Sequence, residues 1–598
     1  MQYINKQFKQ FFKSNATSSS RLAAIEAHID NGGSVIKNAA GEWELLGESQ
    51  PVNNTMNQYI KYTTNQLACN LQNLIPNNVL LNTLPGDHPS DSSISRYNIP
   101  NVCYSLVNPT PFTQPSLLIS ISSATAELLH VTLPQNQIES DQLCEFMSGN
   151  NVLPQCIDST WCHRYAGHQF HQFAGQLGDG RAVSLLQTNV NNQLYELQLK
   201  GSGRTPYSRG FDGRAVLRSS LREYLMCEHM NALNVPTTRA LTLTVNNDKV
   251  RRDALERCSV VSRTANCFIR FGSFEIHYYA DEKLLLQQLA DYTIKYFYNH
   301  IHSMHPLNSA IDAFDSSKPY SKRYSKFIEC VTHKTAILIA HWSSIYFVHS
   351  VMNTDNMSII GITLDYAPPS LLGDEYRPSY VSNDTDDTGM YSFENQVKAA
   401  KFNLDKLAKC FTELCTDSDL LDSVNQFDTI YNNKYIQLMK QKIGLQQNDV
   451  NDQPLIESLM NALSYTQGVD YTYFFRRLFN TLQSNDTTYT DVLLHAGVPV
   501  DYHSALIDWC VKYNERLRLE HYNNDSERHS YCNQYNANYI LRAYLLDQAY
   551  EQAKQNDYSM IDELLDCMTQ PFGDNIKYQH FAHRAPEYYN NLTCSCSS

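Results

Sequence analysis

The segment LYELQLKGSGRTPYSRGFDGR, residues 194–214, joins an alternating run to a loop rich in glycine and arginine. In the run, Tyr195, Leu197 and Leu199 fall on one face of a predicted strand. Lys200 falls on the opposite face beside polar neighbours, so it ends the strand on the side that meets a polar group. The loop that follows carries too much glycine and charge to be a simple connection.

A helix is predicted directly after this loop and ends near Pro236. Glu223 lies on this helix. A strand lysine held by a helix glutamate is the arrangement with which protein kinases bind the phosphates of a nucleotide. The spacing is equally compatible with a surface lysine and an unrelated carboxylate, and spacing alone leaves both interpretations open. The apolar stripe of the helix consists of Leu217, Leu221, Tyr224 and Leu225.

A second glycine-rich stretch lies upstream at residues 165–181 and has the sequence YAGHQFHQFAGQLGDGR. Gly178 and Gly180 permit the backbone to approach a ligand closely, and Arg181 beside them offers a forked donor for a phosphate. A Gly-Asp-Gly sequence also forms ordinary tight turns, which is the alternative interpretation. The cysteine and histidines in this region match no common zinc spacing, so we expect no zinc site.

A third motif, VMNTDNMSIIGITLDYA at residues 351–367, has two short apolar runs around a glycine and predicts a β-hairpin. Pairing of the runs would bring Asn356 and Asp365 together at the open end. One amide and one carboxylate, completed by phosphate oxygens and water, suit Mg²⁺, with Mn²⁺ as an alternative. Asp355 lies on the other side of the backbone, where it can orient or deprotonate an attacking hydroxyl. A hairpin with polar ends and no metal is the alternative.

Two further arginines, Arg263 and Arg270, fall in the β-like run of residues 260–270. Arg270 is flanked by apolar residues, so its charge requires an anionic partner. Together with neighbouring cations they form a local excess of positive charge, from which we predict a pocket that binds a polyphosphate. The other cations assigned to this pocket are Arg181, Lys200, Arg204 and Arg214.

The overall composition excludes several classes of function. The chain has 598 residues and a net charge of −14 at pH 7, from 47 basic and 61 acidic side chains. We therefore expect neither a nucleic-acid partner nor broad attraction to an anionic membrane. The 16 cysteines include no CxxC pair, which is typical of a reducing compartment rather than of a disulfide scaffold. No apolar stretch is long enough to span a bilayer.

The patterns along the chain divide it into three parts. Residues 1–74 are predicted to be an N-terminal extension of unassigned role, with an amphipathic helix at its start. Residues 75–275 contain short β-like runs around one helix, whereas helical periodicity dominates residues 276–598. This order predicts an α+β fold of two lobes, a β-rich N-lobe and a helical C-lobe, with a cleft between them. We expect a cytoplasmic protein, with a mitochondrial one as the alternative because no acidic residue precedes Glu26.

In this order, the motifs resemble the selenoprotein O (SelO/YdiU) family of protein adenylyltransferases, which have a protein-kinase-like fold. The resemblance runs from Leu81 to Phe572 and leaves out the predicted N-terminal extension. Its most specific segments are residues 165–181, 198–214, 269–275, 352–366 and 538–542.

The resemblance implies transfer of AMP from ATP to a Ser, Thr or Tyr hydroxyl of a protein. It implies that Asp355 is the catalytic base and that Glu223 holds Lys200 in place. The catalytic residues that it implies are therefore Asp355, Lys200 and Glu223. Asn356 and Asp365 match the family's Mg²⁺ ligands. The nucleotide-binding positions that it implies are Gly178, Gly180, Arg181, Lys200, Asp212, Gly213, Arg263, Arg270 and Asp365.

Two other functions would use the same residues. A protein kinase would transfer the γ-phosphoryl group, and a nucleotide-binding pseudokinase scaffold would need no catalytic base. The complete set of lysine, glutamate, aspartate and asparagine favours an enzyme over a scaffold. Its partners would be ATP and acceptor proteins. We expect the protein to be a monomer. The chain departs from the family pattern at His171 and Phe211, each in place of a glycine, and at Ala367 and Met390.

Overall fold

The computed structural model describes residues 35–37, 43–45, 67–89, 94–304, 321–366, 371–372, 374–478 and 488–586. The chain divides into two units, residues 1–58 and residues 59–598. In the first unit, the short strands β1 (Val35–Lys37) and β2 (Trp43–Leu45) pair in an antiparallel ribbon. The predicted N-terminal helix lies outside the described residues.

The second unit contains a nine-stranded sheet with the order β3-β4-β6-β9-β10-β13-β12-β5, and β11 pairs with β13. Only the β3–β4 pair is parallel among the pairs described in this sheet. In chain order the strands of this unit are β3 (Gly86–Asp87), β4 (Tyr104–Leu106), β5 (Ser116–Ile121), β6 (Trp161–His163), β7 (His168–Gln169), β8 (Gln172–Phe173), β9 (Ala182–Val190), β10 (Gln193–Lys200), β11 (Ala215–Val216), β12 (Arg239–Arg251), β13 (Leu255–Ala265), β14 (Phe347–Val348) and β15 (Leu371–Leu372).

The centre of the sheet fixes the position of Lys200. Asn191 and Asn192 form the two-residue turn between β9 and β10, with φ of 50° and 63°, a left-handed conformation that asparagine tolerates well. The register pairs Gln198 of β10 with Arg263 of β13. Because alternate residues share a face, Gln198, Lys200 and Arg263 project from the same side of the sheet. The predicted alternation of β10 is confirmed.

The helices follow the sheet in sequence, except for α1 to α4. The long helix α4 lies against β12 and β13, and the four residues of its predicted apolar stripe are all buried. In chain order the helices are α1 (Val79–Thr83), α2 (Ser123–Leu128), α3 (Gln137–Met147), α4 (Leu217–Ala232), α5 (Phe271–Tyr279), α6 (Lys283–Phe297), α7 (Asn299–Met304), α8 (Ser321–Ser344), α9 (Gln396–Lys409), α10 (Asp417–Asn425), α11 (Phe427–Lys442), α12 (Asp452–Ser464), α13 (Tyr471–Arg477), α14 (Tyr489–His495), α15 (His503–Leu517), α16 (Asp525–Asn533), α17 (Ala543–Lys554) and α18 (Ser559–Met568).

The architecture is therefore a mixed α/β one, with a large sheet and many helices. The main hydrophobic core draws on residues from Leu80 to Ala582, and a second core lies among helices α11 to α16. A third core contains Leu67, Leu71 and Leu74, which are buried within the second unit. The second unit thus begins before residue 74, where the sequence predicted the extension to end.

Two predicted elements differ from the structure. The β-like run to Arg270 stops at Ala265, because the chain then leaves the sheet to pair with residues 357–359, and Arg270 caps α5 instead. Helical periodicity over residues 539–553 predicts a helix from Tyr539, but the helix of the structure begins at Ala543. Its first predicted turn is not helical, because the backbone N–H groups of Asn538 and Tyr539 both donate to the carbonyl of Pro571.

The sequence led to predictions about the cysteines and about segments that could span a membrane. Every cysteine among the described residues is a free thiol, and all of these except Cys330 are buried. None of the described helices combines the length and the apolar character needed to cross a membrane.

Candidate active site

A cavity of about 520 Å³ opens beside the end of β10 and has the size of a small-molecule site. Every nucleotide- and metal-binding residue that the family resemblance implies lines it, and Glu223 lies behind Lys200. The sequence motifs, which are far apart along the chain, therefore meet at one place. The residues that line the cavity include Tyr165, Gly178, Gly180, Arg181, Lys200, Asp212, Gly213, Arg214, Arg251, Arg252, Arg263, Arg270, Asp355, Asn356 and Asp365.

Lys200 is held by two carboxylates. Its Nζ lies 2.5 Å from Oε2 of Glu223 and 2.6 Å from Oδ1 of Asp365. Burial of the neighbouring face of α4 leaves Glu223 only 5% exposed, which fixes the direction of its side chain. The predicted lysine–glutamate pair is present in the structure.

Arg263 is fully buried behind this pair and connects it to the sheet. Its Nη1 donates to Glu223 at 2.8 Å and to Asp365 at 2.6 Å, while its Nε and Nη2 donate to Oε1 of Gln198 at 3.0 and 2.6 Å. Burial opposes its charge, but Asp365 and Glu223 more than compensate and raise the pKa of Arg263. Arg263 therefore serves as a fixed, permanently charged brace.

Asp365 is surrounded by a third cation as well. Nη1 of Arg270 lies 3.3 Å from Oδ2 of Asp365 and donates to the carbonyl of Asp355 at 2.7 Å. Burial alone would raise the pKa of Asp365, yet Lys200, Arg263 and Arg270 hold it well below the usual value. The carboxylate stays ionised although it is buried.

Asp355 has the opposite electrostatic environment. It is 8% exposed, and Nε2 of Gln169 donates to its Oδ2 at 3.2 Å. Burial raises the pKa of Asp355 to about 6, although Arg270 opposes the shift. A carboxyl with a pKa close to neutral is suited to accept a proton from a hydroxyl and to release it again.

A buried network beneath Asp355 was not predicted from the sequence. The backbone N–H of His168 donates to Oγ1 of Thr354 at 2.7 Å, and Thr354 in turn donates to Glu275, which also binds the ring of His168. Glu275 is fully buried on α5. The network holds the short 3-10 segment Thr354–Asn356 against α5. A charged residue on an otherwise apolar helix, as in FGSFE, was the available signal.

The predicted hairpin around Gly361 is reduced to a single antiparallel bridge between Met357 and Thr363. The turn is too tight for two strands, because the N–H of Gly361 already bonds the carbonyl of Ser358. The bridge nevertheless leaves Asn356 and Asp365 on the same cavity, as predicted.

The donor set at this cavity fits a magnesium ion. Nδ2 of Asn356 donates to the carbonyl of Val351 at 2.8 Å, which leaves Oδ1 without a donor among the described residues. Oδ1 of Asn356 and the ionised carboxylate of Asp365 are hard oxygen ligands of the kind that Mg²⁺ prefers. No cluster of three or more His, Cys, Asp and Glu side chains occurs in the described part of the chain, so substrate oxygens and water would complete such a site.

Two glycines of the cavity have conformations that other residues adopt rarely. Gly178 has a φ of 97°, and a Cβ there would lie 2.4 Å from the ring of Tyr207. Gly213 has a φ of 71°, and a Cβ there would lie 2.2 Å from the carbonyl oxygen of Gly203. A side chain at either position would collide with the neighbouring chain, so the two glycines determine the shape of the cavity wall. This agrees with the prediction that the backbone at Gly178 can approach a ligand closely.

The cations that line the cavity are not all the ones that the sequence predicted. Arg204 is exposed and does not line the cavity, because Gly203 packs against Thr110 and turns the chain outward there. Arg214 lines the cavity, but its guanidinium donates to the carbonyls of Thr110 and Pro111. Arg181 forms no ion pair with any described carboxylate, so its charge is available to a ligand.

Two arginines of the cavity were missed. Arg251 and Arg252 stand at the turn between β12 and β13. Arg252 binds both carboxylate oxygens of Asp212, at 2.8 and 2.9 Å, and lowers the pKa of that carboxyl against the effect of its burial. Adjacent arginines at a predicted strand end were the only sequence signal.

Comparison with known proteins agrees with this geometry. Residues 95–569 match the family model described as "Protein adenylyltransferase SelO". The chain is 36% identical to the protein nucleotidyltransferase YdiU of Thiobacillus denitrificans over 505 residues, which cover 84% of this chain and 97% of that protein. It is also 36% identical to the YdiU of Flavobacterium johnsoniae over 547 residues, or 88% of this chain and 100% of that protein. The chain therefore belongs to the SelO family of protein adenylyltransferases.

Proposed function

We propose that this protein transfers AMP from ATP to a Ser, Thr or Tyr hydroxyl of an acceptor protein. The oxygen of the hydroxyl forms a bond to the α-phosphorus, and the bond from that phosphorus to the oxygen bridging to the β-phosphate breaks. The hydroxyl proton passes to Asp355, and pyrophosphate leaves. The observation that carries the proposal is the convergence of Asp355, a doubly held Lys200 and unpaired arginine charge on one cavity.

The cations of the cavity suit pyrophosphate as a leaving group. Lys200 is positioned by Glu223, and Arg181 lacks an ion pair within the described residues. Fixed cations that already point at the developing charge need little reorganisation during the reaction. Mutating Arg181 to Met should therefore lower kcat as well as raise the KM for ATP.

Asp355 is the group that we assign as base. Burial raises its pKa to about 6, so it is mostly ionised at neutral pH and still basic enough to take a proton as the bond forms. Gln169 orients its carboxylate through the hydrogen bond to Oδ2.

Asn356 and Asp365 would hold Mg²⁺, or Mn²⁺ in its place. When bound, the ion would neutralise charge on the phosphate oxygens. Chelation with EDTA should abolish transfer but leave the melting temperature of the nucleotide-free protein unchanged, because Asp365 already has three cationic partners. A loss of folding in EDTA would contradict this assignment.

We also infer a kinase-like arrangement of two lobes, residues 75–275 and residues 276–598, with residues 1–74 as an extension of unassigned role whose last part, from Leu67 to Leu74, packs into the third core of the second unit. The lysine on β10, the glutamate on α4 and the acidic residues after β14 support it, because protein kinases use these parts in this order. Free thiols throughout the described residues support a reducing compartment such as the cytoplasm.

The test distinguishes the α- from the γ-phosphate. The full-length protein is incubated with an acceptor protein and with ATP labelled at either position, and Asp355→Ala is the matched control. Label from the α-position should enter the acceptor together with an AMP-sized gain in mass. Label from the γ-position in the acceptor would identify a kinase instead, and label from neither would leave a nucleotide-binding scaffold.

A further inference from the structure

An exposed cluster of aromatic and lysine side chains lies next to the site of Asp355. We call it the aromatic–lysine patch. Its rings are contributed by the β7–β8 ribbon, by the C-terminal end of α5 and by the middle of α9, and its lysines lie on α9. Its members are His171, Phe173, Tyr279, Phe402, Lys406 and Lys409.

The rings of the patch pack against one another and yet remain in contact with solvent. The ring centroids of Phe173 and Tyr279 are 4.0 Å apart, and those of His171 and Phe402 are 3.9 Å apart. Phe173 is 37% exposed and Tyr279 is 40% exposed. Stacked, rigid rings at a surface bind a partner with little loss of side-chain entropy.

The ribbon that carries the patch is held in a strained conformation. Phe170 and His171 form its two-residue turn with φ of 48° and 63°, in the left-handed region that favours glycine and asparagine. The turn is fixed from outside, because the N–H of Phe170 donates to the hydroxyl of Tyr391 at 2.9 Å. Strain of this kind persists where surrounding contacts impose it, and it is concentrated at functional sites.

The patch is close to the reacting group. Gln169, which donates to Asp355, belongs to the same ribbon, and its neighbour His168 pairs directly with Phe173. The patch therefore begins within roughly 10 Å of Gln169, a distance that an extended segment of about three residues spans.

The charge of the patch is opposite to that of the whole protein. The chain carries a net charge of −14, whereas the α9 sequence QVKAAKFNLDKLAK contains four lysines and one aspartate. Lys401 of this helix pairs with Asp428, whereas neither Lys406 nor Lys409 forms an ion pair with a described carboxylate. Their ammonium groups instead lie over rings, 4.8 Å from the centroid of Phe402 and 6.0 Å from that of Tyr279.

We infer that the aromatic–lysine patch docks the acceptor protein, through a segment with acidic side chains and an apolar side chain a few residues from the modified hydroxyl. The acidic side chains pair with Lys406 and Lys409, and the apolar side chain packs on Phe173 and Tyr279. Charge complementarity favours this occupant, because the chain as a whole is negatively charged whereas the patch presents the ammonium groups of Lys406 and Lys409. The inference rests on the proposed AMP transfer and specifies its acceptor class.

The test uses two peptides that differ only in charge. Each contains one Tyr, one Leu next to it and three charged residues beside them, which are Glu in one peptide and Lys in the other. We expect the full-length protein to modify the acidic peptide with a kcat/KM at least tenfold higher, mainly through a lower KM and with a preference that weakens as salt is added.

Charge reversal at the patch provides the matched variants. Lys406→Glu combined with Lys409→Glu should remove the preference by raising the KM for the acidic peptide about tenfold, the size expected for two partly exposed charge pairs, without changing the KM for ATP. Lys512→Glu reverses the charge of an exposed lysine on α15 and should have no effect. Phe173→Ala should raise the KM for both peptides.

The experiment separates a failure of the docking surface from a failure of AMP transfer. Equal use of the two peptides, or an unchanged preference in the double variant, would overturn the docking surface while AMP transfer stands. Absence of AMP from every peptide and acceptor protein, with wild type no different from Asp355→Ala, would overturn both.

Discussion

Two aspartates of the cavity are buried to the same extent and yet differ in their acidity. Three cations hold the pKa of Asp365 well below its usual value, whereas Asp355 has only an amide donor and one arginine nearby, and burial raises its pKa to about 6. Neighbouring charges, rather than burial, therefore separate a permanent anion from a proton acceptor.

Replacing Asp355 with Asn should slow transfer severely and stabilise the fold. Loss of a general base costs roughly 10²- to 10⁴-fold in rate. The pKa is raised from the unfolded value near 4 to about 6, so the folded state keeps a proton between these pH values that the unfolded state releases. The carboxyl therefore destabilises the fold above pH 6, by about 1–3 kcal/mol, and this cost disappears as the pH falls toward 4.

Thermal denaturation of Asp355→Asn and wild type at pH 7.5 and at pH 4.5 measures this difference. The melting temperature of the variant should be higher at pH 7.5, and the two proteins should converge at pH 4.5. An equal difference at both pH values would show that the aspartate titrates normally. In the wild type, kcat should rise with pH and level off above an apparent pKa near 6.

Residues of the site could be predicted where a short stretch of sequence contains both the reactive side chain and the pattern that positions it. Strand alternation, helix placement and short motifs identified Lys200, Glu223, Asn356 and Asp365 as candidates, although spacing alone left other interpretations open, and the structure places all four at or beside the cavity. Gln169, Glu275 and Arg252 did not follow, because each acts through a partner distant in sequence that only the folded chain brings near.

At the scale of elements, the loop of residues 201–214 forms one wall of the cavity. It folds back on itself, since the N–H of Gly203 donates to the carbonyl of Gly213 at 3.1 Å, and Asp212 is fixed by Arg252. Its shape depends on the close approach of two backbones, which only glycine at residue 213 permits.

Gly213→Ala should distort this wall, whereas Gly210→Ala should not. Both glycines have a positive φ, so each substitution costs about 1 kcal/mol in backbone strain. A methyl group at residue 213 would also collide with Gly203, while residue 210 has no atom within 4 Å. We expect the KM for ATP to rise at least tenfold for Gly213→Ala and less than threefold for Gly210→Ala, as measured by steady-state kinetics. Similar values for the two variants would contradict the role of the close approach.

Strands were more predictable than the ends of elements. Alternation identified β10, because one of its faces is polar. The predicted C-terminal end of β13 and the predicted start of α17 were wrong. Backbone groups there form hydrogen bonds to residues about 90 and 30 positions away, and no local pattern encodes such bonds. His171, where the sequence is expected to depart from the family pattern, has a φ of 63°, in the left-handed region that favours glycine.

At the scale of the whole molecule, Arg542 ties together three distant parts of the helical region. Its Nη1 lies 2.5 Å from Asp374, which follows the motif of residues 351–367 in the chain, and 2.7 Å from Asp470, which caps α13. Arg542 itself precedes α17 and is 2% exposed. The contact restrains the C-terminal helices relative to the region around the active site.

Arg542→Met should destabilise the protein by about 3–5 kcal/mol, because it leaves the buried carboxylate of Asp470 and the half-buried carboxylate of Asp374 without their cation. Lys554→Met on α17 removes a cation from an exposed pair with Glu551 and should cost less than about 1 kcal/mol. Urea denaturation of both variants measures the difference. If the two variants unfolded at the same urea concentration, the buried contact would not join these parts of the molecule.

The cations around Asp365 are the same groups that the phosphates of ATP would contact. In the language of enzyme inhibition, this carboxylate is a tethered competitive inhibitor, held at a high effective concentration by the chain itself. Metal-free ATP must displace it and should bind weakly to the wild-type protein. Asp365→Asn should consequently bind ATP more tightly in EDTA, by equilibrium dialysis, while it loses transfer; weaker binding would mean that the carboxylate and the phosphates use different cations.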